Sequence, residues 1–180
     1  MGPCYTARMN LHRRPEPSEY APYYGPYIDR VPDGPIADTL ERQMEATRAL
    51  LAGLPEDRAD HRYQPGKWSI KEVVGHVLDV ERIFATRALA FSRNDPEPYP
   101  GMDQDRYIDN ARFGARALAG LAAELEALRR SNVHLFRSFD AETLDRKGVA
   151  SGVAFTARAV PWILAGHELH HMGVLRERYL

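Results

Sequence analysis

Cysteine is almost missing from this chain: Cys4 is the only one among 180 residues. A disulfide framework is therefore excluded, and so is a metal site built from several thiolates. Long apolar runs are missing too. No stretch approaches the ~20 residues of a membrane helix, and the opening MGPCYTARMN lacks the apolar core of a secretory signal. A cytoplasmic protein is the expectation. Nor does either sign of charge dominate, with 24 basic and 25 acidic residues and a net charge of -1. That balance supplies no field for nucleic acid or for an anionic membrane surface. Alternating strand patterns, internal repeats and low-complexity tracts are also lacking, so no strand is expected. Any bound metal has to rely on His, Asp and Glu.

What is present begins with proline and tyrosine. Seven of the thirteen prolines and five tyrosines fall within residues 1–35. Proline recurs too often there for a helix, and the segment is too aromatic for ordinary disorder. An extended Pro/Tyr-rich arm is expected, its tyrosines lying along the outside of a domain spanning residues 36–180.

From Ile36 onward a period near 3.6 takes over. Ile36, Leu40, Met44, Thr47 and Leu51 mark one face of a first helix, which Gly53-Leu54-Pro55 ends. A second helix opens where Ser69 and Glu72 form a capping box, and its apolar face runs through Val73, Val77, Val80, Phe84 and Phe91. Three prolines in NDPEPYPG impose a loop. A long third helix is expected from about MDQDRY, with a seam at Leu118, Leu121, Leu125, Leu128, Asn132, Leu135 and Phe139. Thr156 can cap a last helix, in which Pro161 falls late enough to predict a frayed or bent start. Four amphipathic helices imply an all-α, four-helix bundle.

The chemistry concentrates in AGHELHHMG. At ~100° per residue, the last helix aligns Val160, Leu164, His167, His171, Val174 and Leu175. His167 and His171 point inward one turn apart, a spacing at which two imidazoles can share an ion. His170 lies roughly 60–100° away from that pair. Four histidines remain as a third ligand. His12 falls in the arm, His61 in a polar connection, and His134 off the inward line, whereas His76 borders the apolar face of the second helix. Glu72 and Asp79 are its helical neighbours; either could hold its free ring nitrogen, or Asp79 could bind the ion itself. HELHH also fits the HExxH pattern of zinc peptidases, with Glu168 as general base. The familiar versions take their third ligand downstream, and only nine residues follow His171, so peptidase chemistry is the weaker reading.

KWSIKEVVGHVLDVERIFATRAL, PGMDQDRY and AGHELHHMGVLRERYL, in this order and with these gaps, resemble the DinB/YfiT-like family of damage-inducible metalloproteins over roughly residues 36–180. The resemblance implies an up-down-down-up bundle and a divalent ion, zinc or nickel, on His76, His167 and His171. It also implies a homodimer. Relatives suggest two chemistries on a small-molecule substrate: thiol-dependent S-transfer and detoxification with a low-molecular-weight thiol, or metal-dependent hydrolysis. A metal-binding stress-response protein without turnover is the third reading. The apolar back of the last helix, at Trp162, Leu169 and Met172, is where a dimer contact is expected; cover by the tyrosine-rich arm is the alternative.

Overall fold

In the computed structural model, residues 13–180 are described; Cys4 and His12 lie outside them. Helix α1 spans Gly25–Ile28, α2 Ile36–Ala52, α3 Ile70–Ser92, α4 Gln104–Ala111, α5 Leu118–Arg137, α6 Ala141–Asp145 and α7 Ala159–Arg178. Strands β1 (Lys147–Ala150) and β2 (Val153–Thr156) form an antiparallel hairpin.

The bundle consists of α2, α3, α5 and α7. Helix α2 packs on α5 and α7, and α3 packs on the same two. Consecutive helices α2 and α3 therefore sit diagonally across the bundle. Two apolar clusters give the directions. One joins Leu40 of α2, Phe84 of α3, Phe136 of α5 and Val160 of α7. The other joins Leu51, Val73, Leu121 and Leu175 of the same four helices. The chain thus passes from the first cluster to the second along α2, returns along α3, returns again along α5 and comes forward along α7. This is the up-down-down-up order.

Between the clusters lies a charged layer. Arg129, 1% exposed, donates from Nε and Nη2 to the two Glu81 oxygens, both at 2.8 Å, and from Nη1 to Glu168 Oε2 at 2.7 Å. Thr47 donates to the other Glu168 oxygen at 2.6 Å, and Asn132 to Glu81 Oε1 at 2.9 Å. Each bundle helix contributes at least one of these residues. Burial opposes the Arg129 charge, but Glu168 and Glu81 outweigh it and hold the guanidinium charged.

The elements follow local rules. Ser69 Oγ accepts from the Glu72 amide and the Glu72 carboxylate accepts from the Ser69 amide, which closes the expected capping box at α3. Thr156 Oγ1 accepts from the Ala159 amide at 3.2 Å. Because α7 starts at Ala159, Pro161 falls in its first turn, where no helical acceptor awaits its missing N–H; the expected late proline is an early one. The expected long third helix is two helices, broken at Arg112, whose φ of 53° is left-handed. The α5 seam also turns away from Leu128 and Leu135, which are half-buried, toward Arg129, Val133 and Phe136. The hairpin was not expected. Its turn residues Ser151 and Gly152 both have positive φ, as a two-residue primed turn requires.

The arm is more structured than an extended chain. Short helical turns at Pro17–Glu19, Pro22–Tyr24 and Gly25–Ile28 each carry proline in the first two positions, where it is pre-organised for a helix. Ile28 and Val31 enter the first apolar cluster. Glu19 accepts from Thr156 and Arg158 and pairs with Arg13, pinning the arm to the start of α7. The Arg14 guanidinium lies 4.8 Å over the Trp162 ring. Trp162 and Met172 are 1% and 2% exposed within the single chain, so neither needs a second chain to cover it. Among the described residues, no helix is long and apolar enough to cross a membrane.

Removing one partner of a buried ion pair leaves an uncompensated charge, which costs ~3–5 kcal/mol. Arg129→Ala is expected to lower urea-unfolding stability by about that amount. Arg129→Met combined with Glu81→Gln and Glu168→Gln should lose less. A single-variant loss below about 1 kcal/mol would contradict the role assigned to the layer.

Candidate metal centre

His76 lies near the start of α3 on the side facing α7. His167 and His171 lie one turn apart on the side of α7 facing α3. Antiparallel packing of the two helices brings the three rings together, with centroids 4.4–4.9 Å apart. Their ligand atoms all lie within 4.8 Å of one another, and the Nε2 atoms of His76 and His167 are 3.0 Å apart. Donors around a tetrahedral ion at ~2.0–2.1 Å stand about 3.4 Å from each other, so small side-chain movements bring the set to one ion. The protonation pattern fits as well. Without an ion, one of the facing nitrogens must donate to the other, while the buried Nδ1 of His76 has no hydrogen-bond partner. Buried polar atoms rarely stay unpaired.

All three imidazoles are held neutral. Burial pushes His76 down to about 4, with His170 adding to the shift. It pushes His171 down to about 3, helped by His76 and His170. His167 is driven well below the ordinary range by burial and then by its two partners. Neutral imidazole is the form that binds metal.

The other candidates fall elsewhere. His170 is half-buried, edge-on to Tyr27 at 5.4 Å, and outside the triad. His61 and His134 are exposed. Glu168 does not face the histidines as a free base, because both its oxygens are held by Arg129 and Thr47. Glu72 is occupied by the Ser69 amide and by Arg62. Asp79 lines a separate shallow cavity with Asp103 and Arg106. Neither Glu72 nor Asp79 holds His76.

Two of the three histidines, His76 and His167, line a cavity of about 260 Å³ together with Tyr24, Tyr27, Phe84 and Arg87 among others. Tyr24 stands edge-on to Phe84 at 5.7 Å and to Phe155 at 5.6 Å, and Tyr27 approaches His167 at 5.7 Å. The arm reaches this position because α7 carries Gly166. A Cβ there would stand 2.0 Å from the Tyr27 carbonyl oxygen. Arm tyrosines and Arg87 were not legible as site residues. The one signal was the density of tyrosine in a segment with no core of its own.

Two outcomes follow for the triad. His171→Ala should abolish binding of one zinc per chain in equilibrium dialysis with elemental analysis, and His170→Ala should retain it; the reverse pattern would refute the assignment. The second concerns pH. Unfolded histidines take up protons near ~6.5, whereas in the folded chain the buried His76 and the half-buried His171 resist until about 4 and about 3. Over that interval the unfolded state binds more protons, so apo stability is complete above about pH 6.5 and falls as pH drops toward 4 and 3. Proton competition for the metal moves to the same low range, below the window of roughly pH 6–5 that unperturbed imidazoles would give. Urea unfolding of the apo protein between pH 7 and 4 measures this, and a flat profile would contradict it.

A comparison with the curated proteins gave no match. The fold is similar to that of YfiT from Bacillus subtilis, described as a probable metal-dependent hydrolase with an unusual four-helix bundle topology. The match has a TM-score of 0.67 at 16% identity, covering 93% of this chain and 95% of that one. The family model of the DinB superfamily matches residues 39–175, which takes in α3, α5, most of α7 and all three histidines. The chain belongs to the DinB superfamily.

Proposed function

We propose that the protein is a divalent-metal-dependent enzyme that transfers a small-molecule substrate to or from a low-molecular-weight thiol. The observation carrying this reading is a histidine triad, two of whose members line a cavity with no carboxylate in its wall. His76, His167 and His171 would hold the ion, zinc or nickel by donor type, and it would supply the Lewis acidity that lowers the pKa of a thiol or of water. Hydrolysis of the HExxH kind also asks a side chain to take the proton from water. Glu168 is committed to Arg129 and Thr47, and the lining offers phenols, Ser151 and Gln104 instead. Thiol chemistry makes a weaker demand, because a thiol with a pKa near ~8.5 gives up its proton far more readily than water. Tyr24 and Phe84 provide flat apolar contact for a substrate, and Tyr27 covers His167 from the arm side.

Metal-dependent hydrolysis is the second reading, favoured by the description of YfiT. Zinc-loaded protein should accelerate consumption of 1-chloro-2,4-dinitrobenzene by N-acetylcysteine, and His171→Ala should remove the acceleration. Equal turnover of p-nitrophenyl acetate without thiol would replace transfer by hydrolysis. Silence in both assays would refute an enzyme.

A further inference from the structure

Among the described residues, four cations are almost fully buried: Lys71, Arg87, Arg129 and Arg158. Three have two carboxylates each. Lys71 pairs with Glu56 and Asp60, Arg129 with Glu81 and Glu168, and Arg158 with Glu19 and Asp145. Arg87 is the exception. At 3% exposure it donates to the Pro100 carbonyl at 2.8 Å and lies 4.7 Å over the Phe84 ring. Burial pushes its pKa down, and the groups that oppose this shift, Tyr24 and Tyr107, are phenols rather than carboxylates. A buried charge without a counter-charge is costly, and this one lines the cavity that His76 and His167 also line.

The geometry points to an anion subsite: we propose that Arg87 receives the carboxylate of a small aromatic acid whose body lies against Tyr24 and Phe84, with its far end toward the histidines. Guanidinium matches carboxylate with two parallel hydrogen bonds. The neighbouring walls are aromatic, with Tyr24 edge-on to Phe84, which favours a flat apolar body over a polar one. The absence of Asp and Glu from the lining leaves nothing to repel an anion. The placement of the far end rests on the function proposed above; the subsite itself does not.

Calorimetric titration of the full chain with 3-phenylpropionate and its uncharged amide tests this, run with and without one equivalent of zinc. The acid is expected to bind at least about tenfold more tightly than the amide. Arg87→Met should bring the two to similar affinity with the zinc stoichiometry unchanged, and Arg87→Lys should restore part of the preference. Equal affinities in the wild type, or a preference that survives Arg87→Met, would overturn the proposal. If Arg87→Met does not fold, Met102→Trp fills the cavity without removing the guanidinium. Loss of acid binding in that variant supports the subsite, and unchanged binding overturns it. N-acetylcysteine provides the other source of carboxylate: Arg87-dependent binding of it, with none of 3-phenylpropionate, overturns the aromatic acid. A preference for the acid in protein that takes up no zinc would sink the proposed function and leave the subsite standing. One zinc bound without the preference would do the opposite.

Discussion

One guanidinium holds the middle of this molecule in register. Arg129 reaches Glu81 on α3 and Glu168 on α7, and Glu168 in turn takes the Thr47 hydroxyl of α2. Apolar packing on either side is tolerant of sliding, because Leu, Val and Phe accept many neighbours of similar size. A buried ion pair is not tolerant, since each misplaced donor leaves a carboxylate unpaired. The layer therefore fixes the height at which the four helices meet. It also places α7 relative to α3, and so determines whether His167 can reach His76.

Glu168 and His167 are adjacent in sequence and face different ways for that reason. One anchors α7 to α2 and α5; the other faces α3. The HELHH segment reads as a peptidase signature only while those directions are unknown. Once the glutamate is tied to Arg129, the segment divides into a structural residue and two candidate ligands.

The parts of the molecule legible in the sequence are those where local chemistry decides. Ser69 and Glu72 announced the start of α3, and helical phase alone brought His167 and His171 to one side. His76 emerged as the third ligand by phase and by family resemblance together. What stayed hidden depends on distant partners. Nothing in the sequence marks Arg129 and Glu81 as core residues, because lone charges are normally exposed, and only the meeting of three helices buries them. The hairpin was missed although Ser151-Gly152 is a turn signal, because two four-residue strands are too short to show a period. Arg112 in a left-handed conformation gave no warning of the break before α5. The tyrosines of the arm were visible, but their destination was set by Gly166, which lies more than 130 residues away in the chain.

That contact at Gly166 is made by main chain against main chain. The arm is thus seated by its backbone at this point, and the identities of its side chains are free of the docking requirement there. Tyr23, Tyr24 and Tyr27 form one wall of the cavity from a stretch that contributes none of the histidines and none of the Arg129 layer. The cavity wall is therefore shared between two stretches of sequence, the arm supplying these three phenols and α3 supplying Phe84 and Arg87. Evolution, or an engineer, can recut the wall through the arm while the bundle and its histidines stay as they are.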